Sequence, residues 1–267
     1  LKYADIGVAM GITGTDVAKG ASDMILTDDN FTTIVHAIEE GRNIYNNIRK
    51  AVIFLLSCNL GEVISIFISI LLNWPVPLIA TQILWVNLIT DSLPAISLGI
   101  DPGDKDVMKQ KPRNPKESFF AQGAGVRACI GGVLIGILTL VAFYYGLYEH
   151  GYVIGSAMLS EEVLETALPY ARTMAFLVLA ASQLFYSLSM RSFTKSIFKV
   201  GLFSNLYLVG SIIVGILLQL LVITVPFLAK AFEVHNLNLR EWGIVIAFSL
   251  APLVVNEIIK FFMRKKN

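Results

Sequence analysis

The sequence predicts a mainly α fold: a polytopic membrane helix bundle of six spans, preceded by a small α/β fragment. Three observations carry this. Of 267 residues, 55% are hydrophobic and 15% charged, and mean hydropathy is +0.67; a soluble domain carries roughly 25% charge. The apolar residues gather in runs of about 20, the length of helix that crosses a bilayer. Residues 1–30 instead alternate short strand-like and helical patterns.

In that leading stretch, Ile6–Met10 reads as a buried strand. Turn chemistry follows, with Thr15 or Asp16 as a helix cap, then a short helix over Val17–Ser22 and a second strand over Asp23–Thr27. Such a piece is too small to hold a core alone. The chain opens at Leu1 without a methionine and reads as the C-terminal piece of something longer. Asn30 is the expected cap of a long helix, because Phe31, Ile34, Ala37, Ile38, Gly41, Ile44 and Tyr45 share one face. No breaker separates this pattern from the first apolar run, so one rod is expected to continue from a stalk at 31–50 into the first span.

The predicted spans are 51–72, 79–99, 124–147, 171–190, 202–226 and 242–263. Basic residues alternate between connections. Arg42, Arg49 and Lys50 precede the first span, and Lys105, Lys109, Lys111, Arg113 and Lys116 fill the 101–118 loop. The 73–78 and 148–170 connections carry no Lys. By the positive-inside tendency both ends face the cytoplasm. A net charge of +1 suggests no nucleic-acid partner. The lipid bilayer and a transported cation are the expected partners. Cys58 and Cys129 fall inside apolar runs and read as small buried residues. His36, His150 and His235 are scattered without ligand spacing and read as surface or loop residues, and Glu257 near Lys260 reads as a surface or structural ion pair.

Two carboxylates stand where lipid should be: Glu62 in the first span and Asp91 in the second. A charge at mid-membrane costs roughly 2.5–3.5 kcal/mol on insertion scales, so a functional reason is expected. Asn59 lies three residues from Glu62; Asn87, Thr90 and Asp91 share i, i+3, i+4 spacing. Pro94 removes a backbone donor just beyond, and Gln183 sits deep in the fourth span. Every one of these groups offers oxygen, the donor that hard cations prefer, and neither imidazole nor thiolate joins them. The competing reading is polar glue between membrane helices.

At these residues the sequence resembles a known family. Ala4-Asp-Ile-Gly-Val-Ala-Met-Gly11, Gly14-Thr-Asp-Val-Ala-Lys19 and Ala21-Ser-Asp-Met-Ile-Leu-Thr-Asp-Asp-Asn-Phe31 resemble the end of the phosphorylation domain of P-type ATPases. Asn59-Leu-Gly-Glu62 and Leu84-Trp-Val-Asn-Leu-Ile-Thr-Asp-Ser-Leu-Pro94 resemble the fifth and sixth membrane helices of its calcium-pump branch, and Lys111-Pro-Arg-Asn-Pro-Lys-Glu117 the loop that follows. The resemblance implies three parts: a phosphorylation-domain remnant over 1–30, the stalk over 31–50 and a transmembrane domain over 51–267. It implies an ATP-driven cation exporter with a phospho-aspartate intermediate and calcium as the transported ion. Asn59, Glu62, Asn87, Thr90, Asp91 and Gln183 would be ligands, Asp91 being shared between two ion positions. Gln183 departs from the reticulum-type pump, which has glutamate there; one-ion calcium pumps and sodium/potassium pumps have glutamine. The stretch holds no Asp-Lys-Thr-Gly and no Gly-Asp-Gly-Val-Asn-Asp. ATP and magnesium are therefore expected to bind in the missing N-terminal part of the same chain, and this fragment alone is expected to be inactive. In a bacterium the membrane would be the plasma membrane.

Three alternatives stand beside this reading. A sodium/potassium- or proton-transporting P-type ATPase would keep the family and change the ion, though sodium/potassium pumps tend to carry a further acid at the Asn87 position. A secondary transporter would have no need of residues 4–31. A non-catalytic membrane scaffold would use the polar residues as glue.

Overall fold

The structure is a computed structural model that describes residues 1–104, 106–114, 116–152 and 161–266. Its first elements keep the strand–helix–strand order. Strands β1 (Val8–Met10) and β2 (Met24–Leu26) pair in parallel, with Ala9 opposite Ile25. Parallel strands need a crossover, which helix α1 (Asp16–Gly20) supplies. Thr15 caps it, its hydroxyl accepting from the Ala18 amide at 3.2 Å. Asp29 ties off the fragment by accepting from the amides of Ile12 and Thr13 at 2.8 and 2.7 Å. Asn30 then accepts from the Thr32 amide at 3.0 Å at the start of helix α2 (Phe31–Leu71).

Helix α2 runs 41 residues unbroken, in keeping with an interior free of proline. The chain forms two compact units, Leu1–Asn46 with Gly103–Asn114, and Asn47–Pro102 with Pro115–Asn267. Within the first, Arg42 donates to the carbonyls of Val107 and Gln110 at 3.1 and 3.0 Å, fastening a 3-10 turn over Val107–Lys109.

The second unit holds the rest of α2 followed by α3 (Ala80–Trp85), a π-helical turn (Val86–Thr90), α4 (Ser92–Gly99), α5 (Ala124–Glu149), α6 (Glu161–Met190), α7 (Ile197–Val200), α8 (Leu206–Thr224), α9 (Pro226–Ala231) and α10 (Leu239–Lys266). Among the described residues five helices, α2, α5, α6, α8 and α10, are long and apolar enough to cross a membrane. The expected count of six spans is thus corrected to five such helices: the stretch 79–99 is three consecutive short pieces. Pro94 lacks the N–H that would reach the Thr90 carbonyl, and the Asp91 amide bonds back five residues to Val86 at 3.0 Å. Helix α6 also starts ten residues earlier than the predicted span at 171. Residues 153–160 of the predicted 148–170 connection, and Lys105 of the basic loop, lie outside the described residues.

Helix α6 is the centre of the bundle. Of its most apolar stretch 89% is buried, against 22% for α10. It packs against α5, α8 and α10, and Phe176, Leu179 and Tyr186 are fully enclosed. Backbones approach closely where residues are small, as expected between membrane helices: a Cβ on Gly146 of α5 would lie 2.6 Å from the Ala171 Cα of α6. The outer faces carry exposed apolar side chains such as Val63 and Phe67 on α2, Ile137 on α5 and Ile258 on α10, the surface that lipid covers in an integral membrane protein. Cys58 is buried as expected, but Cys129 is exposed, because it lies on the outward face of α5. Glu257 and Lys260 do pair, at 2.8 Å. Lys260 is buried rather than on the surface, since it also donates to the Ser189 carbonyl at 2.8 Å.

Candidate functional site

The break in 79–99 is where the polar residues gather. A π-turn inserts one extra residue and shifts the helix face, a device often found at functional sites. Here it spans Val86–Thr90 and is stitched locally: Thr90 Oγ1 donates to the Val86 carbonyl at 2.8 Å, and Ser92 Oγ to the Asn87 carbonyl at 3.1 Å. The turn leaves the Asn87 side chain directed at α2 and Asp91 wholly enclosed.

Glu62 is the meeting point. Its Oε2 accepts from Asn87 Nδ2 at 2.8 Å, and its Oε1 accepts from Gln183 Nε2 at 3.4 Å. Three elements distant in sequence, α2, the π-turn and α6, thus converge on one carboxylate that is only 5% exposed. Gln183 is fully buried, and its Oε1 finds no donor in the protein. Asp91 is also fully buried, and both of its carboxylate oxygens lack a donor. Buried polar atoms are almost always paired, and each exception asks for an explanation such as an ion. Three unpaired oxygens here belong to residues that the sequence marks as oxygen ligands.

The six predicted residues do not behave alike. Glu62, Asn87 and Gln183 form one hydrogen-bonded set; Asp91 and Thr90 are buried beside Asn87 in the chain, with the Thr90 hydroxyl turned to its own helix. Asn59 does not join them. It is exposed, because three residues along a helix is about 300° of rotation and carries it to the flank of the Glu62 face. The neighbouring Ser182 and Ser187 are satisfied within α6, donating to Leu179 and Leu184 at 2.9 and 2.6 Å.

Spacing did carry a signal for one further residue. Cys58 is one turn before Glu62 on the same face of α2, is fully buried, and with Glu62 is a titratable group that interacts with Asp91. No cluster of three or more His, Cys, Asp or Glu forms a metal site among the described residues. The arrangement is two acids supplemented by amide and hydroxyl oxygens, the chemistry of a hard cation.

With this geometry in place, the likeness to known proteins is informative. The family model for "Cation transporting ATPase, C-terminus" matches residues 75–262. The chain is 58% identical over 268 residues to Calcium-transporting ATPase 1 of Bacillus cereus, a match covering 100% of this chain and 30% of that protein. It is 46% identical over 252 residues to the Calcium-transporting ATPase of Bacillus subtilis, covering 94% and 27%. Against Calcium-transporting ATPase type 2C member 1 of Homo sapiens it is 41% identical over 266 residues, covering 100% and 27%. The chain spans less than a third of the length of these curated relatives. The family model's match over residues 75–262, which takes in the interrupted segment and Asp91, makes this chain a member of the cation-transporting ATPase C-terminal family.

Proposed function

We propose that this chain is the ion-binding membrane portion of an ATP-driven calcium export pump working through a phospho-aspartate. The observation that carries the reading is Asp91, fully buried with both oxygens unpaired, on the same interrupted segment as the Asn87 that bonds Glu62. The names of the relatives support calcium as the ion. Glu62, Asn87, Thr90, Asp91 and Gln183 are the proposed ligands, with Asn59 a ligand only from a rotated α2. Calcium takes about six to eight oxygens, more than this set supplies singly, so main-chain carbonyls or groups from the remainder of the pump complete the shell. ATP and magnesium belong to that remainder.

Residues 1–30 are the proposed end of the phosphorylation domain, 31–50 the stalk and 51–267 the transmembrane domain. The broken segment is proposed to cross with the others, because α3, the π-turn and α4 together cover residues 80–99, about the 20 residues that a crossing needs. The Lys and Arg distribution supports cytoplasmic ends, in a plasma membrane if the source is bacterial. In the cycle, calcium offsets the repulsion between Glu62 and Asp91. After phosphorylation a displacement of the unbroken α2 separates them, and protons replace the ion, because an unpaired charge is costly to bury.

The test is Asp91→Asn in the full-length protein. Calcium-dependent formation of the phospho-intermediate is expected to disappear; its retention overturns the assignment.

A further inference from the structure

Ten residues beyond Asp91, at the end of the broken segment, a second carboxylate gathers what the ion site has spread apart. Asp101 is 5% exposed, and its oxygens are fully used. Oδ1 accepts from Arg191 Nε at 2.9 Å and from Asn205 Nδ2 at 2.8 Å; Oδ2 accepts from Lys50 Nζ at 3.2 Å. Its carbonyl accepts from Asn47 Nδ2 at 2.6 Å, and Asn205 Nδ2 also donates to the Ser97 carbonyl at 2.9 Å. The pattern follows the site. Lys50 and Asn47 belong to α2, which carries Glu62 twelve residues on, about 18 Å along the helix. Arg191 follows directly on α6, eight residues or about 12 Å beyond Gln183. Asp101 itself closes the segment of Asn87 and Asp91. Each element that brings a group to Glu62 also sends one to Asp101.

We propose that Asp101 is a positioning residue of the ion site, the common fastening that sets the register of the helices bearing Glu62, Asp91 and Gln183. This rests on the pump reading above. The joint has two unequal arms. Arg191 is held on three sides, donating also to the Gly201 carbonyl and the Ser204 hydroxyl at 2.6 Å each, and is 2% exposed. A guanidinium fork so placed is fixed. Lys50 is a point charge at 3.2 Å, 14% exposed, and shared with the Asn47 oxygen at 3.0 Å. On the α2 side the Lys50 contact is the looser one, while the Asn47 amide holds the Asp101 carbonyl at 2.6 Å.

The experiment is the calcium dependence of ATP hydrolysis by the full-length protein in membranes. Removing a residue that orients ligands from outside costs about tenfold or more in metal affinity. Asp101→Asn is expected to raise half-maximal calcium about tenfold while keeping most of the rate at saturating calcium, and Asp101→Glu to recover most of the shift. A fall in maximal rate at unchanged half-maximal calcium, the mark of a merely structural role, overturns the proposal. If Asp101→Asn protein cannot be recovered, Lys50→Met decides: an unchanged half-maximal calcium overturns it, and a raised one upholds it. Normal calcium affinity in Asp101→Asn with Glu62→Gln inactive refutes this inference alone. Absence of calcium-dependent hydrolysis in the unmutated protein refutes the pump reading and this inference with it.

Discussion

Asn87 donates to Glu62 across 2.8 Å and, with the same amide nitrogen, to the Ile83 carbonyl at 3.0 Å. One side chain therefore tethers α2 to the π-turn while binding back to α3. The other donor to Glu62, from Gln183, is long at 3.4 Å. Asn87 is the stronger support of that carboxylate. Hydrogen bonds to charged groups contribute about 1.5–3 kcal/mol. Asn87→Ala is expected to lower stability in calcium chelator by that order and to raise half-maximal calcium. Gln183→Ala is expected to do less in chelator. Thermal unfolding of the purified protein in detergent, with and without calcium, checks both.

Asp91 predicts the opposite sign in chelator. Its oxygens receive no hydrogen bond from an N–H or O–H, so exchanging the acid removes at most the interaction with the Cys58 thiol. Asp91→Asn is expected to leave the calcium-free midpoint unchanged or raised. If the proposed site binds calcium, the ion at 100 times its dissociation constant is expected to add about 2.7 kcal/mol in the unmutated protein. That gain is expected to vanish in Asp91→Asn. A large drop in the calcium-free midpoint would show that Asp91 has a structural partner.

How much of this was legible in the sequence depends on the kind of information each residue carries. The 41-residue helix was readable because nothing between Phe31 and Leu71 interrupts the pattern. The break near Asp91 was half readable: Pro94 announces a lost donor, but the π-turn begins eight residues earlier at Val86, where no residue type signals it. Glu62 and Asp91 stood out because acids are rare among apolar runs. Asn59 is exposed while Glu62 is buried, because i, i+3 spacing fixes a relative angle and not which way the pair faces. The joint at Asp101 was hidden for another reason. Lys50, Asp101 and Arg191 each sit at the polar end of an apolar run, where charges are ordinary, and only the fold brings positions 101 and 191 together.

Two glycines of α5 separate packing from ion binding. A Cβ on Gly136 would lie 2.9 Å from the carbonyl oxygen of Gly61, the neighbour of Glu62; one on Gly146 would lie 2.6 Å from Ala171 Cα on α6. Both contacts are with backbone, so the helices must shift, and overpacking costs about 1–3 kcal/mol. Gly136→Ala and Gly146→Ala are each expected to lower the unfolding midpoint. Only Gly136→Ala, which pushes α5 against α2 at the level of Glu62, is expected also to raise half-maximal calcium. Equal calcium shifts in the two variants would refute that distinction.

The leading fragment predicts a pH effect of its own. Asp29 adopts a left-handed backbone, φ 48°, and turns its carboxylate onto the Ile12 and Thr13 amides and the Thr13 hydroxyl. The Ile12 amide above all, with the Thr13 hydroxyl next, holds its pKa at about 2 instead of 3.8. A depressed carboxylate stabilises the fold fully above its unfolded value, here 3.8, and the stabilisation is lost as pH falls through the folded value of about 2. Hydrogen exchange at the Ile12 and Thr13 amides is therefore expected to stay slow down to about pH 4 and to lose protection between pH 4 and 2, after correction for intrinsic rates. In Asp29→Ala those amides lose their acceptor and are expected to exchange fast at every pH, with no step in that window. A step that persists in Asp29→Ala would assign it to another carboxyl, the nearest being Asp28, whose bond from Thr33 at 2.6 Å also lowers its pKa.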